Sequence, residues 1–253
     1  MKYAIFFVAG SVAAIWAAFQ GSALSLLLLW PGVSLATVAL GYSGSGAKVF
    51  GKRPSGTLAP VTALVLAPYL TLTWLVWHCS RVLRREMPFN RLTPGITIGR
   101  RLLGSEYPPH IEAVVDLTAE FQEPKVARTG REYWAFPILD GSVPKADALL
   151  DFLAEIREFP GEVYIHCAEG HGRTALVAAA LLLVRGDAGS VEDAVRRVLD
   201  QRPRAYMNRA QLTFLGSLAA GMHTGGAVRE VPRDGEGASN KRLLLQCRSE
   251  LSC

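Results

Sequence analysis

Five residues separate Cys167 from Arg173 in Val163-Tyr-Ile-His-Cys-Ala-Glu-Gly-His-Gly-Arg-Thr-Ala175. That pairing and spacing suit the capture of a phosphate. A thiol becomes a strong nucleophile by losing its proton, and a helix N-terminus or a nearby cation lowers its pKa by several units from about 8.5. A guanidinium offers two parallel N–H donors to two phosphoryl oxygens, a geometry that lysine lacks. Between the two, glycines at 170 and 172 permit the φ values and the close backbone approach that an anion cradle requires. The chemistry implied is attack of sulfur on phosphorus, with the phosphate held by Ala168, Glu169, Gly170, His171, Gly172 and Arg173. Thr174 is placed to donate its hydroxyl to the sulfur. His166 reads as a buried orienting residue, because an ionised cysteine needs no base.

Such a loop needs a strand to deliver it and a helix to complete it. The apolar run at 163–165 predicts a short buried strand, and the run from 175 to 184 predicts a helix whose positive end faces the loop. Elsewhere, strands are expected at 96–99, 113–117 and 133–137, and helices near 144–158, 190–200 and 208–220. Strands alternating with helices predict an α/β domain with a central sheet covered on both faces.

The pattern His166-Cys167, five residues, Arg173-Thr174 resembles the signature of the cysteine-dependent protein phosphatases, and its Ala-x-Gly-x-Gly filling is similar to the small dual-specificity members. Ala113-Val-Val-Asp-Leu-Thr resembles that family's strand ending in Asp-Leu. Gln201-Arg-Pro with Asn208 and Gln211-Leu resembles its closing segment. The likeness covers residues 90–220, about half of the chain. It implies a phosphoric monoester hydrolase that forms a cysteinyl-phosphate and uses no metal or other cofactor. It also implies a general acid on a separate loop about thirty residues before the cysteine. Asp140 is the candidate, since it follows the strand Tyr133-Trp-Ala-Phe-Pro-Ile-Leu and precedes Gly141-Ser-Val-Pro144, where a proline opens the next helix. Asp147 and Asp151 are weaker alternatives on that helix. By the same resemblance, this aspartate later activates water against the intermediate.

Two features bear on substrate. Many phosphoinositide-directed relatives carry lysine inside the loop, and this loop has none. Glu169 puts a negative charge on the rim, which His171 offsets when protonated. Ala175 stands where close relatives often have glycine. The loop favours a phosphorylated protein, as for a dual-specificity or tyrosine phosphatase. A phospholipid phosphate, of phosphoinositide or phosphatidylglycerophosphate type, is the alternative. Two further classes remain: a silent phosphate-binding module, which would not need Asp140, and a sulfur- or arsenic-handling enzyme.

The other half of the chain differs in composition. Residues 3–19, 22–42 and 58–79 are apolar and almost uncharged, and are long enough to approach or cross a bilayer core of about 30 Å. They are expected to form two or three transmembrane helices within residues 1–80, with Pro31, Pro60 and Pro68 as kinks or helix starts. The first run is similar to a signal peptide, but the second follows so closely that a hairpin or uncleaved anchor fits better. Residues 81–92 read as a basic juxtamembrane connector able to hold the catalytic half at an anionic surface. If all three runs span, Lys48, Lys52 and Arg53 lie on one face and Arg81, Arg84, Arg85 and Arg91 on the other. The denser second cluster then nominates the cytoplasm for the catalytic half, with an extracytoplasmic placement left open.

The chain has 27 lysines and arginines against 22 acids, a net charge of +5, with no basic-aromatic pattern of the kind that binds nucleic acid. Its four cysteines, Cys79, Cys167, Cys247 and Cys253, show no spacing of a disulfide framework or a zinc site. The phosphatase domain is expected over 93–220, and a glycine-rich, mixed-charge tail over 221–253 is expected to be disordered. The partners expected are a phosphorylated protein or phospholipid and a membrane. The sequence leaves the oligomeric state open.

Overall fold

The computed structural model describes residues 2–224. Contacts divide the chain into one unit reaching Ala219 and a second from Ala220 onward. Only the last turn of one helix is described in the second unit, so most of the tail expected at 221–253 lies outside the described residues.

The catalytic half is a five-stranded sheet of β1 (Phe89–Thr93), β2 (Ile96–Arg100), β3 (Ala113–Thr118), β4 (Glu132–Ile138) and β5 (Val163–Cys167), in the order β1-β2-β5-β3-β4. β1 and β2 form an antiparallel hairpin, and the other pairings are parallel. α6 (Ala146–Arg157), α7 (Gly172–Arg185), α8 (Val191–Gln201) and α9 (Arg209–Thr224) complete this half. In β5, alternation of side chains sends Val163, Ile165 and Cys167 into the large core shared with α6, α7 and α8. Tyr164 faces the other way, into a smaller core with Leu102, Tyr107 and Val114. Among the described residues, that second face carries no long helix. The short α5 (Lys125–Arg128) and loops cover it, so the sheet is flanked on both faces but unequally. α7 is apolar nearly all round, with every residue from Arg173 to Leu182 buried, as the central helix of a packed layer must be. Gly186 stops it in the left-handed conformation, φ 76°.

Before the sheet come α1 (Lys2–Ala18), a 3-10 turn at Ala23–Leu28, α2 (Leu29–Leu40), a π-helical turn at Gly41–Ser45, a 3-10 turn at Gly46–Phe50, then α3 (Pro60–Val65) and α4 (Ala67–Leu83). α1 and α2 are an antiparallel hairpin. Ser11 Oγ donates to Gly32 O at 2.8 Å, and at Gly32 a Cβ would meet Ile15 at 2.7 Å. The open ends of this hairpin meet where the Tyr3 and Tyr42 rings lie 5.3 Å apart. Its flanks present Phe6, Val12, Trp16, Phe19 and Leu27 outward. The stretch Ala23–Phe50 is long and apolar enough to cross a membrane, and α1 is a shorter apolar helix.

The third apolar run differs from expectation. Residues 58–79 do not form one spanning helix, because the chain breaks at Leu66, two residues before Pro68, which has no N–H to give Leu64 O. Trp30 Nε1 serves that carbonyl instead, at 3.0 Å. Both flanks of the run lie on the catalytic half. Glu123 N donates to Gly56 O at 3.1 Å ahead of it, and Ser80 Oγ donates to Glu169 at 3.1 Å near its end. Both ends of this run therefore contact the catalytic half, and Lys52 and Arg84, one from each basic cluster, pair with its acids Asp116 and Glu169. Nor is 81–92 a free connector. Arg81 to Leu83 belong to α4 and Phe89 onward to β1, whose partner β2 supplies the ladder that a short polar strand cannot reveal alone. Pro31, Pro60 and Pro68 all sit in first turns, where a missing N–H costs least.

Candidate active site

The parallel strands end at one edge of the sheet, and the loops leaving those ends build the site, as is general for open α/β sheets. β5 delivers Cys167, β4 leads to Asp140 and β3 leads to Glu120. Cys167, Asp140 and Arg173 line one cavity of about 800 Å³.

The cradle is held from outside by its carbonyls. Ala168 O accepts from Trp77 Nε1 at 2.9 Å and from Arg101 N at 3.1 Å. Arg202 donates from Nη2 to Glu169 O at 3.1 Å and from Nε to Gly170 O at 2.8 Å. With three successive carbonyls engaged, the amides of residues 168–171 have no protein acceptor among the described residues. These amides and the N-terminus of α7 supply the positive field for an anion. Gly170 sits at φ +72°, and a Cβ there would come within 2.3 Å of the Gly99 backbone, so only glycine fits between loop and β2.

Arg173 is buried at the base of the loop, donating from Nη1 and Nη2 to Glu120 at 3.0 and 2.7 Å and from Nη1 to Ile138 O at 3.0 Å. Its Nε has no hydrogen-bond partner and lies 3.4 Å from Asp140 Oδ1. Burial would push the Glu120 carboxyl up, but the Arg173 guanidinium outweighs it and holds the group below the usual carboxylate range. The Asp140 carboxylate is largely exposed to the cavity while its loop is pinned. Tyr42 Oη donates to Asp140 O at 3.1 Å, and Asn208 Nδ2 donates to Gly141 O at 2.8 Å. Thr174 Oγ1 is buried without a hydrogen-bond partner.

His166 points to the opposite face of the sheet from Cys167, fully buried, with Nδ1 3.3 Å from Cys167 O and Nε2 3.9 Å from Glu123. Asp116, Glu123 and His166 form a cluster of metal-ligand type. Its carboxylates already carry cations, Lys52 at 2.6 Å from Asp116 and Arg101 at 2.7 Å from Glu123, which leaves no uncompensated charge for a metal. Glu169 and His171 do not face each other. Glu169 is held by Ser80 and by Arg84 at 3.5 Å, and His171 Nε2 lies 3.0 Å from Glu86.

Several residues of the site are absent from the sequence reading. Glu120 could have been sought as an acid just past a fully buried strand. Tyr42, Lys52 and Trp77 could not, since each reaches the domain from an apolar or basic stretch with no motif of its own. Asp147 and Asp151 do not line the cavity.

Residues 106–187 match a family model described as a polymorphic toxin system phosphatase of the DSP-PTPase type. A protein of Invertebrate iridescent virus 6 described as a tyrosine phosphatase, 197R, is 32% identical over 117 residues, 42% of this chain and 42% of the viral protein. The chain therefore spans less than half of that relative. Among solved structures, PTPMT1 in complex with PI(5)P aligns with a TM-score of 0.50 and 19% identity, covering 56% of this chain and 100% of that one. Tk-PTP in its active form gives 0.49 and 26% identity over 53% and 97%. Human DUSP28 gives 0.48 and 19% over 55% and 97%. With the cradle, the buried arginine and this fold together, the chain contains a domain of the cysteine-dependent, dual-specificity phosphatase type.

Proposed function

We propose that this chain hydrolyses phosphate monoesters through a cysteinyl-phosphate at Cys167, in a catalytic unit held at a membrane by the α1–α2 hairpin. The observation that supports the chemistry best is the convergence of Cys167, the unpartnered amides of 168–171, Arg173 and Asp140 on one cavity. Cys167 Sγ attacks phosphorus, and the S–P bond forms as the bond to the departing oxygen breaks. Asp140 gives that oxygen its proton. Water then attacks phosphorus, giving its proton to Asp140, and the S–P bond breaks to return the thiolate and release phosphate. Arg173 clamps the equatorial oxygens and Glu120 holds Arg173 in place. His166 orients the loop from the far face of the sheet.

The apolar exterior of α1 and α2 supports insertion into a bilayer. Lys2 at the open end of the hairpin lines the same cavity as Arg84, and Lys52 pairs with Asp116 of the catalytic half, whereas residues 19–28 at the tip of the hairpin carry no charge. The positive-inside rule then places the catalytic unit in the cytoplasm, where a thiol stays reduced. The family description and the name of the viral relative favour a phosphorylated protein as substrate, whereas the walls of the cavity favour a lipid.

The test of the chemistry is phosphate release from para-nitrophenyl phosphate by the full chain in detergent, with radiolabelled phosphate sought on Cys167 after a rapid denaturing quench at neutral pH. Release that survives Cys167→Ser would sink this mechanism.

A further inference from the structure

The cavity is far larger than a phosphoryl group, and its two sides differ in chemistry. The catalytic loop and Asp140 make one side, while Phe7 of α1 and Tyr69, Leu72, Val76 and Trp77 of α4 make most of the other, with the polar Lys2, Thr73, Ser80 and Arg84 among them. The apolar members continue onto the outer surface of α4, where Leu72 is 57% and Val76 60% exposed. These are the helices whose neighbours on the hairpin present bare apolar side chains. A phosphopeptide brings a polar backbone that needs hydrogen-bond partners along its length, and the side chains of Phe7, Leu72 and Val76 have none to give. A hydrocarbon chain needs only apolar area. The Glu169 charge on the rim is met within the protein by Ser80 and Arg84, and Lys2 also lines the cavity, so the entrance does not repel a single phosphate.

Resting on the phosphatase reading above, we infer that the substrate is an amphiphilic phosphate monoester, a lipid phosphate whose hydrocarbon chain lies along the groove between α1 and α4 while its headgroup reaches Cys167. The active site is then filled from the bilayer, and the helices that anchor the chain also select its substrate.

The test uses the full chain in phosphatidylcholine nanodiscs and compares kcat/KM for butyl, hexyl and octyl phosphate, para-nitrophenyl phosphate and a phosphotyrosine peptide. In the alkyl series, where the leaving group is chemically constant, kcat/KM should rise about two- to fourfold for each added methylene. Leu72→Ser and Val76→Ser, at exposed positions that folding tolerates, should each flatten this slope. A flat series in the unaltered chain overturns the inference, as does a slope unchanged in both variants, which would report partitioning into the disc. A phosphopeptide preferred over octyl phosphate by about a hundredfold makes the substrate a protein and leaves the phosphatase reading intact. No Cys167-dependent turnover of any of these compounds removes both.

Discussion

Asp140 and Glu120 are both acids beside Arg173, and their surroundings give them different tasks. Asp140 projects its carboxylate into the cavity from a pinned turn, whereas Glu120 is spent on a bidentate pair with the guanidinium. A proton donor matters in proportion to how poorly the leaving oxygen holds charge. Asp140→Asn should therefore lower kcat by about 10²- to 10⁴-fold on an alkyl phosphate and much less on para-nitrophenyl phosphate. Equal losses on both would make Asp140 a structural residue. Glu120→Gln keeps the shape but leaves a buried guanidinium without its counter-charge. Its expected cost is about 3–5 kcal/mol of stability, read in a denaturant titration. The sequence displayed Cys167, Arg173 and Asp140, because a nucleophile at a strand end, a clamp at the following helix start and an acid just past another strand each sit in a readable local pattern. It did not display Glu120, whose role appears only once β3 and β5 lie side by side.

At the level of elements, the catalytic loop is shaped from three directions: by Arg202 beyond α8, by Arg101 beyond β2 and by Trp77 on α4. Each takes a carbonyl and so turns an amide toward the anion. Trp77→Phe keeps most of the packing against Phe121 but removes the donor to Ala168 O. We expect kcat/KM on a small aryl phosphate to fall about tenfold, the worth of one hydrogen bond of this kind, with little change in the thermal midpoint. Gly170→Ala is expected to abolish turnover, because the new methyl would collide with the backbone of β2. A variant that retained more than about a tenth of the activity would show that the loop can shift away from β2. Strand and helix positions were readable from periodicity. That α4 is a wall of the active site was not, because an apolar run has the same composition whether it faces lipid or a protein cavity.

For the whole molecule, the deciding contact is Lys52 with Asp116. Both side chains are 0% exposed, and the pair ties the segment after α2 to the centre of the sheet. Tyr133 Oη also donates to this carboxylate, at 2.6 Å. Burial would raise the Asp116 carboxyl, but Lys52 outweighs it and holds the group well below the usual range. A carboxyl depressed by folding contributes stability that is present above its unfolded pKa of about 3.9 and lost as pH falls through its folded value. Lys52→Met should therefore cost about 3–5 kcal/mol at pH 7. Its deficit relative to the unaltered chain should narrow below about pH 4, measured as denaturant midpoints across pH. A constant deficit from pH 7 to pH 3 would mean that the pair carries no linkage. The same contact implies that the catalytic half depends on residues 2–83, which no phosphatase motif covers.

The sequence by itself determined the chemistry: a cysteine, five residues and an arginine between a buried strand and a helix leave few uses other than holding and attacking phosphate. It also determined most of the core of the fold, since β2 to β5 and the long helices α6 to α9 announce themselves, whereas the polar β1 and the short α5 do not. Only the tertiary structure decided what surrounds the phosphate. Lys52, Tyr42 and Trp77 come from segments distant in sequence, and their partners Asp116, Asp140 and Ala168 are fixed by packing, a long-range property that no local pattern encodes. The break at Leu66 and the docking of both ends of the third apolar run turned a supposed membrane span into a wall of the active site.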